Sequence, residues 1–246
     1  MRKHIPNLIT CMNVTSGAFA IFLAMYGYLP EAACLVLLAM IFDFFDGLAA
    51  RLLHVKSELG KELDSLADVV SFGVAPAVLA HFLMLEVLPE GAVRHFAELA
   101  PGMKVMLFCP SLIPAFSAYR LAKFNLDTRQ VSSFIGMPTP ANALFWVTLV
   151  FGSVYTPELY GRLFGNVYTL GVSALILSVL LISELPMFSL KISGFGWREN
   201  KNRYLYFIAL IVLAVLFKAA VLLFVVPLYV FFAVVSALVK FTTPNH

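Results

Sequence analysis

Long apolar runs, interrupted by short polar or Gly/Pro-containing breaks, fill most of the chain and have the lengths expected of membrane-crossing helices. The segments are Leu8–Tyr26, Glu31–Leu53, Gly60–Leu88, Met103–Leu121, Thr139–Val154, Leu163–Leu190, Tyr204–Leu216 and Val221–Val239. The seventh is short for a crossing. Residues 1–7 are basic and contain Pro6, which suits a short interfacial lead-in. Gly27 and Pro30 separate the first two spans, and the polar stretch Leu52–Leu59 makes spans two and three an antiparallel hairpin. Two longer polar segments follow, 120–140 and 191–203, the second broken by Gly194 and Gly196. No repeat is present, so the expectation is an all-α polytopic bundle of about eight transmembrane helices, with residues 1–246 forming one domain.

Composition agrees. The chain is 61% hydrophobic and 13% charged, with mean hydropathy +0.90, far outside the soluble globular range. With the amino terminus inside, all of the 17 Lys and Arg residues except Arg94, Lys104, Arg162 and Lys218 fall on the cytoplasmic side. Both termini are thus expected in the cytoplasm and the protein in the cell (inner) membrane. The basic loops suit anionic lipid headgroups, with no sign of nucleic-acid binding. Pro6 and Asn7 interrupt the charge-to-apolar transition of a signal peptide. Cys11, Cys34 and Cys109 lack metal or redox spacing and read as buried small apolar residues. His4, His81, His95 and His246 have no ligand spacing and read as interfacial or surface residues, while Trp197, Tyr204 and Tyr206 suit an aromatic belt.

Against this background the carboxylates Asp43, Asp46, Asp64 and Asp68 are anomalous, because an ionised acid is costly in a low dielectric. On helices, Asp43, Asp46, Gly47, Ala50 and Arg51 share an arc of roughly 140°, and Gly60, Asp64, Asp68 and Ser71 one of roughly 80°. The hairpin brings both sets to similar depth. Carboxylate oxygens without nitrogen or sulfur partners favour Mg²⁺ or Mn²⁺, and two such ions suit diphosphate chemistry. Gly47 and Ala50 offer a surface that a ligand's phosphates can approach closely, with Arg51 at the membrane edge. Two other readings stand beside this one: interhelical ion pairs with Arg51, Lys56 or Lys61, and the ion path of a coupled transporter.

The spacing D-x-x-D-G-x-x-A-R, eight residues, G-x-x-x-D-x-x-x-D is complete here, and in it the chain resembles the CDP-alcohol phosphotransferase family. That resemblance implies two divalent metal ions, Mg²⁺ or Mn²⁺, held by Asp43, Asp46, Asp64 and Asp68, with Asp68 also taking the proton of the attacking hydroxyl. It implies CDP-lipid contacts from Gly47, Ala50, Arg51, Ser57 and Gly60, and a homodimer. Pro6, Asn7 and Thr10 in IPNLIT look like the family's entry motif near the nucleotide; Asn7 and Thr10 read equally well as caps of the first helix.

The acceptor is narrowed by other segments. SFGVAPA (71–77), YRLAKFN (119–125) and FIGMPTPA (134–141) resemble the phosphatidylserine synthases within that family, which implies CDP-diacylglycerol and L-serine as substrates and CMP release. The zwitterionic acceptor needs a cation for its carboxylate, for which Arg120 and Lys123 stand at the right end of span four; both also read as ordinary positive-inside residues. Glycerol 3-phosphate or an inositol phosphate is the alternative acceptor. His54 and Lys56 begin an HxK pattern that lacks its Asp, since position 61 is Lys61, so a phosphohistidine route has no support. The last hundred residues match chiefly in hydropathy.

Overall fold

The computed structural model describes residues 4–55, 57–89, 91, 96–126, 134–187 and 197–242. Helices α1 (His4–Met25) and α2 (Leu29–Leu52) form the first hairpin. It turns at Gly27, whose φ of +86° is readily available only without a Cβ. Pro30 lies in the first turn of α2, where a missing N–H leaves no helical bond unmade. Helix α1 begins ahead of the apolar run, so Pro6 belongs to its first turn and residues 4–7 are part of that helix, while residues 1–3 lie outside the described residues. For the same reason Asn7 and Thr10 are interior helical residues and not caps.

Span three is one helical stretch, Glu58–Glu86, built from α3 (Glu58–Asp68), a π-helical turn (Val69–Val74) and α4 (Ala75–Glu86). Ser57 caps it, its Oγ accepting from the Gly60 amide at 2.9 Å. The fourth span joins α5 (Pro101–Phe108) through a 3₁₀ turn to α6 (Leu112–Leu126). Because α6 runs on to Leu126, Arg120 and Lys123 are helical residues, not loop residues.

Helix α7 (Thr139–Tyr155) follows, then α8 (Pro157–Phe164) and α9 (Val167–Ile182), which are bent by 74° to one another. A two-residue antiparallel ladder, β1 (Phe134–Ile135) with β2 (Pro186–Met187), ties the entry of α7 to the exit of α9. Between them Gly136 has φ +78°, and a Cβ there would lie 2.6 Å from the Leu181 carbonyl, so FIGMP packs flush on the end of α9 only as glycine. The chain closes with α10 (Trp197–Phe217), a 3₁₀ segment (Lys218–Phe224) and α11 (Val225–Thr242).

The expected spans fall largely on helix, but the sixth, Leu163–Leu190, is too long: α9 ends at Ile182, Pro186–Met187 is a strand, and residues 188–190 lie outside the described residues. Among the described residues, five helical stretches are long and apolar enough to cross a membrane, or six if the bent pair α8–α9 is one span. Helix α7, at 17 residues, falls short of that length. The last stretch, Arg203–Leu238, folds back on itself: the Tyr206 hydroxyl donates to the Val225 carbonyl at 3.1 Å, and its ring lies 6.0 Å from Tyr229 and 6.3 Å from Phe232.

Several expectations need correcting. Tyr206 is buried in that contact and does not belong to an aromatic belt. Cys11 and Cys34 are exposed on the outer faces of α1 and α2, where lipid-facing thiols behave as any small apolar group; only Cys109 is buried. His81 is partly buried and its Nδ1 lies 3.0 Å from the Leu107 carbonyl, joining α4 to α5. His95, His246, Gly194, Gly196 and Lys56 lie outside the described residues.

The site is positioned by α1, which packs against α2, α3, the π turn and α4. It acts as a wedge. Spans two and three therefore meet chiefly through the π turn and α4, and their outer ends are held apart by α1. Close approach is secured by Gly17, where a Cβ would overlap the Ser71 side chain and lie 2.7 Å from its Cα. On the opposite side, a Cβ on Gly73 would sit 3.2 Å from Pro114 Cα, so α6 also packs tightly on the π turn.

Candidate active site

The four acids come from two elements. Asp43 and Asp46 lie one turn apart on α2, Asp64 and Asp68 one turn apart on α3, each pair on one face because of the helical repeat. Asp43, Asp64 and Asp68 each place a carboxylate oxygen within 4.8 Å of the others. Asp46 is buried and turned toward α1, its Oδ2 accepting from Thr10 Oγ1 at 2.7 Å. Thr10 has a second partner, the Pro6 carbonyl at 3.1 Å.

A cavity of about 520 Å³ opens where α1 holds α2 and α3 apart. Asn7, Thr10, Asp46, Gly47, Ala50, Ser57, Gly60 and Asp64 line it, so the entry motif and the family-like glycines converge on one space that reaches the acids. A Cβ on Gly47 would meet nothing within 4 Å, which leaves its backbone open to a ligand. Gly60 differs, since a Cβ would lie 2.9 Å from Ser57 Oγ and 3.1 Å from Asn7 Oδ1. Arg51 is not part of the lining. It is exposed, and its Nε donates to the Gly47 carbonyl at 3.0 Å, placing the guanidinium near the cavity's Gly47 wall.

Two of the three basic residues in the ion-pair reading of the acids are engaged with backbone carbonyls, and the third, Lys56, lies outside the described residues. Lys61 donates to the Asn125 carbonyl at 3.0 Å and Arg51 Nε to that of Gly47 at 3.0 Å. Asp64 Oδ1 and Asp68 Oδ1 are buried without a hydrogen-bond partner. Two orphaned carboxylate oxygens within an all-oxygen cluster fit hard divalent cations such as Mg²⁺ and Mn²⁺.

The two acceptor candidates separate. Arg120 is buried on α6, its Nε unpartnered and its guanidinium stacked 5.8 Å from the Phe124 ring; its charge faces that of Asp68 without a direct ion pair. Lys123 is partly exposed and 3.5 Å from Glu184. Both border a small crevice with Ile135, Leu181 and Ser183, so FIGMP and the end of α9 form its wall. Helix α6 is fixed to α3 by Asn125 Nδ2 donating to Ser65 Oγ at 2.9 Å.

Sequence reasoning missed Asn13, which is fully buried with both carboxamide atoms unpartnered, and Tyr229 of α11, whose hydroxyl lies within electrostatic reach of Arg120. The polarity of Asn13 within an apolar span was the available signal for the first. Nothing in the local sequence marks the second.

The sequence profile described as CDP-alcohol phosphatidyltransferase matches residues 3–181. The chain belongs to this family. Among its relatives is the CDP-diacylglycerol–serine O-phosphatidyltransferase of Bacillus subtilis (strain 168), 35% identical over 176 residues, which cover 72% of this chain and 88% of that one. The protein of the same name from Helicobacter pylori (strain 26695) is 35% identical over 215 residues, 86% of this chain and 81% of its own. The archaetidylserine synthase of Methanothermobacter thermautotrophicus is 34% identical over 179 residues, covering 71% and 67%. The longer alignment takes the likeness of this CDP-alcohol phosphatidyltransferase beyond the family-wide region.

Proposed function

We propose that this multi-pass membrane enzyme transfers the phosphatidyl group of CDP-diacylglycerol to the hydroxyl of L-serine, giving phosphatidylserine and CMP. The observation that carries the reading is the cavity lined by Gly47, Ala50, Ser57 and Gly60 that ends at the acids Asp46 and Asp64. The names of the relatives supply the acceptor. Asn7, Thr10, Gly47, Ala50, Ser57 and Gly60 receive the nucleotide and diphosphate, with Arg51 near the Gly47 wall. Asp43, Asp46, Asp64 and Asp68 hold two divalent ions, Mg²⁺ or Mn²⁺. Such ions, when bound, neutralise the diphosphate and stabilise the leaving oxygen.

Arg120 binds the serine carboxylate, which places the hydroxyl toward Asp68. The hydroxyl proton passes to a carboxylate oxygen of Asp68 as the serine oxygen bonds to the lipid-bearing phosphorus, and the bond from that phosphorus to the CMP oxygen breaks. Burial of Asp68 and Arg120 keeps water from competing with serine. The acyl chains remain in the bilayer and the active site faces the cytoplasm from the inner membrane, as the distribution of basic residues supports. A homodimer belongs to the same reading by family resemblance.

The test is CMP release by purified protein given CDP-diacylglycerol, Mn²⁺ or Mg²⁺, and either L-serine or glycerol 3-phosphate. Metal-dependent release with serine alone is the expected result. Release only with glycerol 3-phosphate refutes the acceptor, and no release with any alcohol refutes the reaction.

A further inference from the structure

Asn13 is a buried polar residue for which the fold offers no structural use. Its side chain has 0% exposure, and neither Nδ2 nor Oδ1 has a hydrogen-bond partner. An unsatisfied carboxamide deep in a helical bundle is costly, so an apolar residue would serve packing better.

Its level in the bundle follows from neighbouring contacts. Helices α1 and α2 are antiparallel, with Thr10 bonded to Asp46. Moving inward, Asn13 lies three residues beyond Thr10 and Asp43 three residues before Asp46, so the two stand at one depth. Helix α1 runs parallel to span three, with Asn7 against Gly60 and Gly17 against Ser71. Between those contacts, Asn13 falls level with the last turn of α3, the turn that ends in Asp68. The Ser71 hydroxyl fixes this register by donating to the Asn13 backbone carbonyl at 3.1 Å. Thr10, Asn13 and Gly17 share the inner face of α1, within an arc of roughly 60°.

A donor without an acceptor thus stands at the depth of Asp68 Oδ1, a buried acceptor without a donor. We propose that Asn13 is a positioning residue of the acidic site: Nδ2 donates to the Asp68 carboxylate, orienting the oxygen that takes the acceptor's proton, and Oδ1 adds a neutral oxygen beside the carboxylates for a divalent ion. Neutrality matters there. A fifth acid would increase repulsion among the carboxylates, whereas a carboxamide supplies an oxygen and a donor without charge.

This inference rests on the two-metal reading, and the test separates them by Mn²⁺ binding in the absence of substrate, followed by electron paramagnetic resonance, beside steady-state kinetics and thermal unfolding. Asn13→Leu is expected to weaken Mn²⁺ binding and lower kcat by about tenfold to a hundredfold, the usual effect of removing a group that orients a metal ligand. Its metal-free unfolding temperature should equal or exceed that of the unsubstituted protein, because two orphaned atoms are removed. In Asn13→Asp, which keeps the shape but not the donor, Mn²⁺ binding persists while kcat falls at least about tenfold. Unchanged Mn²⁺ affinity in the Leu variant, or unchanged kcat in the Asp variant, overturns the role of Asn13. Absence of Mn²⁺ binding by the unsubstituted protein overturns the two-metal reading itself.

Discussion

Thr10 Oγ1 donates a 2.7 Å hydrogen bond to Asp46 Oδ2 across the α1–α2 interface, so the entry motif of the first helix fixes the carboxylate of the second. A hydroxyl donating to a carboxylate makes one of the stronger bonds in proteins where the acceptor is ionised, worth about 1.5–3 kcal/mol. Thr10→Val keeps the shape of the side chain and removes the donor. Its expected effect is a fall in kcat/KM of about tenfold to a hundredfold, read from CMP release. Unchanged kinetics would mean that Asp46 needs no support from α1.

Asp68 is buried at the inner end of the acidic trio, one turn before the Ser71 contact with α1. Asp68→Asn retains the size of the side chain but leaves no carboxylate to accept a proton. Turnover is expected to vanish while CDP-lipid binding, measured by equilibrium binding of a labelled nucleotide-lipid, is largely retained. Full activity in this variant would remove Asp68 from the proton transfer.

Two glycines give opposite expectations from the space around them. Gly17→Ala puts a methyl group into the Ser71 backbone, an overpacking that costs about 1–3 kcal/mol and lowers the thermal unfolding temperature. Gly47→Ala meets nothing within 4 Å in the protein, so the fold is retained, yet the added methyl stands in the cavity. The expected signature is a raised KM for CDP-diacylglycerol with an unchanged unfolding temperature. A wild-type KM would place the diphosphate away from this wall.

The basic pair on α6 is separable in the same manner. Arg120→Met is expected to raise KM for serine by about tenfold or more, since a buried cation facing a carboxylate contributes a strong charge-assisted bond. Lys123→Met should shift it less than about threefold, because Lys123 is partly exposed and already beside Glu184, a contact of the weak surface kind. Equal effects would contradict the division of roles.

How far the sequence reveals this arrangement depends on the range of the interaction. The pairing of acids along α2 and along α3 is local, dictated by the helical repeat, and was legible from spacing. Helix existence was legible too, because apolar length alone signals a span. The wedge of α1 was not, since a hairpin suggests that spans two and three pack directly along their length, and only the packing of α1 against both α2 and α3 reveals the helix set between their outer ends. Nor did Arg120 announce its burial: a basic residue at the end of an apolar run has the same local pattern whether it faces lipid headgroups or Asp68. Tyr229 lies more than a hundred residues after Arg120, and their approach depends on the final hairpin folding back toward α6. The π turn has no marker in VVSFGV.

That turn has a consequence for how the third span tolerates change. A π turn accommodates one residue more than the α-helix around it, shifting the angular phase of everything beyond it by about 100°. The face of α3 that presents Gly60, Asp64 and Asp68 and the face of α4 that packs through Leu79 and Leu83 are therefore held at an offset that a continuous α-helix would not give. Loss of a single residue between Val69 and Val74 would rotate one half against the other and turn the carboxylates away from α2 while the apolar half kept its packing.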